Sequence, residues 1–245
     1  MLSVHRVHPA LQPLAGGLVV SVQAEVGEPL YPPPVIEALC QSVLQGGAVG
    51  LRLANVSVIQ RLRQQYPHLL VMGLHKPEPL PPSPLGQVYI TATVPQALAL
   101  VQAGANAVAF DATGRCRDGG QSLPAFVAAL KEALPAEVAL VADVATVDEG
   151  VAAAQLGVHA VSSTLAGYTT ATAARVLSPY TPDWEVLEGL LLQVQGALGV
   201  PVIAEGRFWE PADVQRAWRL GAHAVVVGSA LTRPHHGVRR LLACG

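Results

Sequence analysis

The chain has 245 residues and a formal net charge of -2; 51% of its residues are hydrophobic and only 13% are charged. This composition excludes an intrinsically disordered chain, and without a basic cluster we expect neither a nucleic-acid partner nor a polybasic membrane-binding segment. No run of about 18 apolar residues predicts a transmembrane helix, and the N-terminal residues lack the apolar region of a signal peptide. Three cysteines (Cys40, Cys116 and Cys244) lack metal-ligand spacing, which indicates a reducing, cytoplasmic compartment.

Strand-like and helix-like apolar segments alternate along the chain. Strands are predicted at 17–23, 48–53, 69–75, 107–111, 138–143, 159–162, 200–204 and 224–227. Helices are predicted at 34–45, 56–65, 94–103, 123–134, 147–156, 184–197, 211–220 and 229–243. The last helix is expected to be broken by Pro234 and Gly237.

Two segments stand outside this alternation. The first, 77–86, contains five prolines, so it cannot be a helix or a central strand and is predicted to form a stiff loop over the top of the fold. It is followed at 88–92 by a short extra strand or extended segment. The second, 164–182, is predicted to be a long loop with a short turn of its own.

Eight strand–helix units without a break in composition predict one (β/α)₈ barrel domain over 1–245, with residues 1–16 covering the barrel bottom. Glycine C-caps lead directly into a strand at 103–105, 156–158 and 220–222, which favours short helix–strand connections. A doubly wound open sheet is the alternative. Against it, no Gly-x-Gly-x-x-Gly motif follows the first strand.

The last two predicted strands each end at a glycine beside a polar residue. These are Gly206, in Ala-Glu-Gly-Arg, and Gly228, which precedes Ser229. Because parallel strands of a barrel end on the same face, backbone amides at both positions can approach one phosphate group. The pattern predicts a phosphate site after the seventh and eighth strands, where such barrels commonly have one.

Polar residues also follow the other predicted strands, where a barrel carries its chemistry. The polar residues at strand ends are Gln23, Arg52, Lys76, Asp111, Asp143, Ser163, Glu205 and Ser229. Histidine is absent from this set except for the neighbouring His75, so we expect no metal site built from histidines and carboxylates. Acid–base chemistry would then fall to Lys, Asp and Glu.

Lys76 is the most informative of these residues. The chain has only two lysines, Lys76 and Lys131, and Lys131 is expected to lie mid-helix in solvent. An amine in a partly desolvated barrel mouth can become neutral and act as a base or form a Schiff base, whereas an arginine stays charged. The alternative is a surface lysine in a loop.

The carboxylates at strand ends each allow two interpretations. Glu205 either takes part in the reaction or pairs with Arg207. Asp143 is interpreted as a substrate contact, with a helix N-cap or turn as the alternative. For Asp111 the structural role is preferred.

Three further side chains are candidate substrate contacts. Arg52 and Arg233 can bind anions, or can form surface ion pairs. Gln23 can bond a sugar hydroxyl, or can cap the first strand.

Taken together and in order, the motifs resemble the N-acetylmannosamine-6-phosphate 2-epimerase family. The resemblance runs from about Gly17 to Pro234 and rests on the motifs at 21–24, 46–52, 111–119, 142–143, 163–169, 203–207 and 227–234. It implies a (β/α)₈ barrel that interconverts N-acetylmannosamine 6-phosphate and N-acetylglucosamine 6-phosphate in the use of sialic acid or amino sugars. It also implies that neither a metal nor an organic cofactor is needed.

The resemblance assigns a role to each matching residue. It makes Lys76 the catalytic lysine and Glu205 its carboxylate partner. The implied substrate contacts are Gln23, Arg52, Asp143 and Arg233, and the implied phosphate-binding residues are Gly206, Arg207, Gly228 and Ser229.

The sequence departs from the family pattern in two places. Prolines follow Lys76 where charged and aromatic residues are usual, and an asparagine that usually follows the arginine is displaced to Asn55. Two alternative functions therefore stay open: a Schiff-base aldolase that uses Lys76, and a non-catalytic sugar-phosphate-binding barrel. Exposed barrel helices often pair, so a homodimer is the expected assembly.

Overall fold

The computed structural model describes residues 7–243, and eight parallel strands form a closed barrel at its centre. The strands are β1 (Gly17–Val22), β2 (Gly50–Leu53), β3 (Leu70–Gly73), β4 (Ala107–Asp111), β5 (Ala139–Asp143), β6 (Ala160–Ser162), β7 (Val202–Glu205) and β8 (Ala224–Val227). Each strand pairs with the next, and β8 pairs with β1. The (β/α)₈ prediction is confirmed and the open doubly wound sheet is wrong, because the sheet has no free edge.

Helices cover the outside of this barrel. They are α1 (Pro33–Gln45), α2 (Val56–Gln65), α3 (Val94–Gln102), α4 (Leu123–Ala133), α5 (Val147–Gln155), α6 (Trp184–Leu190), α7 (Pro211–Arg219), α8 (Ser229–Thr232) and α9 (Pro234–Leu242). The chain continues after α6 as a π-helix, Leu191–Gly196. Thr93 and Thr146 begin α3 and α5 with complete capping boxes, so local sequence fixes where these helices start.

Two layers of apolar side chains hold the barrel together. One layer fills the barrel interior with small and branched residues such as Val19, Ala109 and Val141, and the other lies between the strands and the helices. A 3₁₀-helix, Pro9–Leu14, adds the fully buried Leu11 to the interior layer, so the described part of the N-terminal segment packs against the barrel core.

The segment predicted at 88–92 lies between β3 and β4 and is not a ladder strand. Only two residue pairs join β3 to β4, at the end of β3 and the start of β4, so the last three residues of β4 have no partner in β3. Thr91 N–H donates to the carbonyl oxygen of His75 (2.9 Å), and Asp111 N–H donates to that of Ile90 (2.9 Å). The prediction of an extended segment fits this arrangement, and the alternative of an extra strand is wrong because the segment bonds to loop residues and to one end of β4.

Two helix predictions need correction. The final helix is interrupted once, at Arg233 before Pro234, whereas Gly237 lies inside α9 in helical conformation. Proline lacks the N–H that would continue α8 but fits the first turn of α9. Lys131 lies in the last turn of α4, where its Nζ donates to the carbonyl oxygen of Leu156 (2.5 Å) across the α5 terminus.

Within residues 7–243 no helix is long and apolar enough to cross a membrane. Cys40 is buried and Cys116 is exposed. Cys244 and the first six residues of the predicted N-terminal segment lie outside the described residues.

Candidate active site

A cavity of about 500 Å³ opens where the strands end at their carboxyl termini. Parallel register places the polar strand ends around it: Ser21 pairs with Arg52, and Glu205 pairs with Val226 next to the β8 terminus. The predicted site residues that line the cavity are Gln23, Arg52, Lys76, Glu205, Gly206, Arg207, Gly228, Ser229 and Arg233. The tertiary structure therefore brings together every predicted site residue except Asp143, which lies behind Arg52.

Arg52 and Asp143 form the electrostatic centre of this site. Arg52 Nη2 lies 2.6 Å from Asp143 Oδ2 and Arg52 Nη1 lies 3.1 Å from Asp143 Oδ1, with both side chains at most 1% exposed. A bidentate pair of this kind fixes the plane of the guanidinium. Burial disfavours the charged guanidinium, but Asp143 and Glu205 outweigh this effect and raise the pKa of Arg52, so it stays cationic.

Glu205 contacts the same guanidinium from β7. Its Oε2 lies 3.2 Å from Arg52 Nη1 and 3.2 Å from Thr164 Oγ1, and its side chain is only 12% exposed. The alternative pairing with Arg207 is wrong, because Arg207 donates instead to the carbonyl oxygens of Ala166 and Thr181 in the loop after β6. Burial raises the pKa of Glu205 to about 7 and Asp143 adds to this effect, against the opposing influence of Arg52.

Lys76 follows β3 and lines the cavity beside this group of charges. Burial and the neighbouring positive charge of Arg52 lower the pKa of Lys76 to about 8, while Glu205 and Asp143 oppose the shift. The amine is therefore far easier to deprotonate than an exposed lysine. The site thus places a tunable amine and a tunable carboxyl group beside a fixed cation, which suits proton transfer at a carbon next to a carbonyl group.

The end of the cavity that is predicted to bind phosphate is formed by the loops after β7 and β8. Gly206 has a φ of 111°, which a residue with a side chain rarely adopts. Gly228 precedes α8, and a Cβ atom at this position would lie 3.4 Å from Ser21 Cβ. Both glycines therefore leave the backbone open to a ligand.

The two arginines predicted at this end already have protein partners. Arg207 donates from Nη1 to the carbonyl oxygen of Ala166 (2.7 Å) and from Nε to that of Thr181 (2.8 Å). Arg233 forms an ion pair with Glu28 and lies 3.3 Å from Glu25 Oε1. Arg207 and Arg233 both line the cavity. Their contacts with a ligand remain predictions, and each would be made in addition to the contacts with the protein.

Gln23 and Asp111 have different surroundings. Gln23 Nε2 donates to Ser21 Oγ (2.6 Å), while its buried Oε1 atom has no hydrogen-bond partner among the described residues and is free to accept from a ligand. Asp111 accepts from the backbone N–H (3.0 Å) and hydroxyl (2.7 Å) of Thr113 and forms an ion pair with Arg115. The structural interpretation of Asp111 is confirmed, because these contacts order the loop after β4.

Sequence reasoning missed part of the cavity wall. The sequence includes Thr164 in the 163–169 motif but predicts no role for it, whereas in the structure it contacts Asp143 and Glu205. The missed aromatic residues that line the cavity are Tyr89, Tyr168, Tyr180, Phe208 and Trp209. In a chain whose aromatic fraction is only 4%, aromatic residues within the predicted loops were the available signal. Among the described residues, no group of three or more His, Cys, Asp or Glu side chains could hold a metal ion.

Comparison with known proteins identifies the family of the chain. A family model described as "Putative N-acetylmannosamine-6-phosphate epimerase" matches residues 36–243. Relatives with the corresponding 2-epimerase name include one from Caldanaerobacter subterraneus subsp. tengcongensis, 38% identical over 95% of this chain and 92% of the relative. Another, from Cutibacterium acnes, is 40% identical over 90% of each chain.

Solved structures give the same result. The N-acetylmannosamine-6-phosphate 2-epimerase from Clostridium perfringens superposes with a TM-score of 0.85 at 32% identity, covering 99% of each chain. The 3-hexulose-6-phosphate synthase from Salmonella typhimurium has a TM-score of 0.55 at 16% identity over 88% of this chain and 90% of its own, which shows a shared fold alone. From its barrel, its strand-end residues and these relatives, the chain belongs to the N-acetylmannosamine-6-phosphate 2-epimerase family.

Proposed function

We propose that this chain is an isomerase that interconverts N-acetylmannosamine 6-phosphate and N-acetylglucosamine 6-phosphate. The observation that carries the proposal is the shared cavity of Lys76 and Glu205, whose pKa values are shifted toward each other to about 8 and about 7. Each group can change protonation state near neutral pH, as general acid–base catalysis requires. The family to which the chain belongs supplies the substrate.

The reaction begins on the open-chain aldehyde form of the sugar. Neutral Lys76 removes the proton from C2, and the electron pair of the C–H bond forms a C1–C2 double bond while the carbonyl oxygen becomes an enolate. Lys76 then carries the proton as an ammonium group. A proton is then returned to the other face of C2, either from the ammonium group of Lys76 or from the acid form of Glu205. In the second case proton exchange through solvent restores both groups, and no oxidant or reductant is consumed.

Arg52 is proposed to stabilise the enolate oxygen. Its guanidinium is held by Asp143 before the substrate binds, so it does not need to reorganise as negative charge develops. Glu205 is proposed to influence the charge state of Lys76 and to take part in proton exchange. Gln23 is proposed to contact the sugar through its unpaired Oε1 atom.

The phosphate group is proposed to bind at the loops of Gly206 and Gly228–Ser229, beside Arg207 and Arg233. Binding energy from this remote group holds C2 in place against Lys76. The chain acts without metal or organic cofactor in this mechanism, since every step uses its own side chains.

Proton NMR of N-acetylmannosamine 6-phosphate in D₂O with EDTA tests the proposal. We expect the N-acetylglucosamine isomer to appear with deuterium at C2. Binding without exchange would instead indicate a non-catalytic sugar-phosphate-binding barrel. Covalent trapping of Lys76 by borohydride in the presence of a sugar phosphate would indicate a Schiff-base aldolase.

We also propose a homodimer in the cytoplasm. The α9 helix has no buried residue and exposes Val238, Leu241 and Leu242, each more than half accessible. Covering such a surface is a common reason for barrel chains to pair. Light scattering of the purified chain would detect the dimer, and a monomer mass would exclude it.

A further inference from the structure

Thr164 lies where the two buried carboxyl groups of the site meet. Its Oγ1 atom is 2.7 Å from Asp143 Oδ1, 2.8 Å from Ser162 Oγ and 3.2 Å from Glu205 Oε2. A hydroxyl group has one proton to donate and two lone pairs to accept with. The three contacts are therefore not independent. The partner that receives the single hydroxyl proton must be an acceptor, and the other two must donate to Thr164.

The geometry assigns that proton to Asp143. Asp143 is the nearest of the three partners, and its oxygens already accept from Arg52, so it acts as an acceptor only. Thr164 then has its two lone pairs left. One accepts from the hydroxyl of Ser162, and the other faces Glu205 Oε2.

An ionised Glu205 would present a lone pair to a lone pair at this contact, which is repulsive. A protonated Glu205 would instead donate its O–H to Thr164 and complete the hydrogen bonding of the hydroxyl. We propose that Thr164 is a positioning residue that favours the neutral acid form of Glu205, so that a larger fraction of Lys76 is the free amine able to remove the C2 proton. This inference deepens the proposed function and rests on it for the role of Lys76.

Burial and Asp143 favour the acid form of Glu205, whereas the cations Arg52 and Lys76 oppose it. The charged or titratable groups that face it are Arg52 from β2, Lys76 after β3 and Asp143 from β5. With Glu205 neutral, Arg52 and Asp143 cancel, and no net negative charge remains to hold Lys76 in its ammonium form. The pKa of Glu205 is raised and that of Lys76 is lowered, each chiefly by burial.

The test compares Thr164→Val, which removes the hydroxyl at nearly constant volume, with Thr164→Ser, which keeps it. The pKa of Glu205 is read by ¹³C NMR of protein with labelled glutamate, its resonance identified by its loss in Glu205→Gln. In Thr164→Val the acid form loses its acceptor, so we expect the pKa of Glu205 to fall by about one unit, the equivalent of one hydrogen bond. Thr164→Ser is expected to behave as the parent chain. A rise, which would mean that Thr164 donates to the carboxylate, or no change would overturn the proposal.

Enzyme kinetics give a second readout. When Glu205 ionises more readily, it favours the ammonium form of Lys76, so the acidic limb of the kcat/KM profile is expected to move to higher pH in Thr164→Val. We expect kcat near neutral pH to drop about fivefold, because the neutral fraction of Glu205 falls from about one half to about one tenth when its pKa moves down from about 7 by about one unit, with KM unchanged and with recovery in Thr164→Ser. A uniform loss at all pH values, without movement of the limb, would indicate a structural role only.

The parent chain can be tested without any change at Thr164. Infrared spectra at slightly acidic pH should contain the carbonyl stretch of a hydrogen-bonded carboxylic acid that disappears in Glu205→Gln. Its absence would contradict a neutral Glu205. These spectra and the NMR titration do not need turnover: a chain without epimerase activity that still shows them would refute the proposed function and leave the Thr164 assignment standing.

Discussion

Arg52 and Asp143 form a bidentate ion pair across the mouth of the barrel, from strands β2 and β5 that lie three positions apart in the sheet. Neither side chain is more than 1% exposed. The pair orients Arg52 toward the cavity, where its Nη1 atom also reaches Glu205 Oε2. One buried interaction thus connects the stability of the barrel mouth with the placement of the proposed enolate-stabilising group.

Breaking this pair should affect both properties. Asp143→Asn leaves Arg52 buried without its anionic partner, so we expect a loss of about 3 kcal/mol in the free energy of unfolding and a decrease of about 100-fold in kcat/KM. Urea denaturation and steady-state kinetics measure the two effects. Glu188→Gln is the control, because the Arg216–Glu188 pair is more than 40% exposed on both sides and should contribute less than about 1 kcal/mol. An Asp143→Asn variant as stable as the control would contradict the importance of the buried pair.

The base assignment is tested by substitution of Lys76. Lys76→Ala and Lys76→Arg should each reduce kcat by about 10²–10⁴-fold, because alanine has no base and a guanidinium does not release its proton. Substrate affinity, measured by calorimetry, should change little. The matched control is Lys131→Arg, since Lys131 is the other lysine of the chain and lies on the surface. Substantial activity in Lys76→Arg would show that another group removes the proton.

Glycine at position 206 is expected to matter for phosphate binding. Gly206→Ala places a Cβ atom at a φ of 111° and 3.7 Å from the carbonyl oxygens of Ser163 and Thr164, which strains the loop. A backbone strain of about 1.4 kcal/mol corresponds to a roughly tenfold change in binding, so we expect KM to rise by about that factor. Inhibition by inorganic phosphate should also weaken.

The control for this change is Gly237→Ala in α9. A Cβ atom there would meet nothing within 4 Å, and alanine favours a helix interior more than glycine does. This variant should keep its KM and gain up to about 1 kcal/mol of stability. If both variants bind phosphate like the parent chain, the Gly206 loop is not the phosphate site.

Stability should depend on pH through Glu205. Burial raises the pKa of this carboxyl group from 4.5 to about 7, so between these values the folded chain binds more protons than the unfolded chain. The contribution of Glu205 to folding is therefore fully present below about pH 4.5 and is lost as pH rises through about 7. Urea denaturation across this window should show the parent chain losing stability relative to Glu205→Gln, whose amide does not titrate. Parallel curves for the two proteins would contradict the raised pKa.

Lys76 affects stability in a separate window. Its pKa falls from 10.5 to about 8, so between these values the unfolded chain binds more protons and folding becomes more favourable as pH rises. In Lys76→Met, which has no titrating group, we expect this increase to be absent. The same dependence in both proteins would indicate that Lys76 has an ordinary pKa.

Much of the fold was predictable because the barrel repeats one local pattern. Apolar runs such as Ala107–Asp111 and Ala224–Val227 have their observed bounds already in the sequence, since a strand covered on both faces must be apolar throughout. Strand ends were less certain. β3 stops at Gly73 rather than at His75, because His75 bonds to Thr91 in the loop and not to a neighbouring strand.

Glu205 and Lys76 were identifiable from the sequence because a polar residue that ends a buried strand has few structural reasons to be there. Thr164 and Tyr89 were not, because they lie in loops and their importance depends on what the fold brings beside them. Thr164 is 41 positions from Glu205 and 21 from Asp143 in the sequence, so no local sequence pattern predicts that these three side chains are in contact.

The sequence by itself determined the order of strands and helices, the parallel barrel and the set of polar strand ends, because these follow from local periodicity, glycine caps and backbone chemistry. Only the tertiary structure decided the protonation and pairing of that set. Closing β8 onto β1 buries Arg52, Asp143 and Glu205 together, and the cost of removing charges from water then shifts the pKa values of Glu205 and Lys76 toward neutrality. Long-range burial, which no stretch of sequence displays, thus turns ordinary strand-end residues into groups able to exchange a proton.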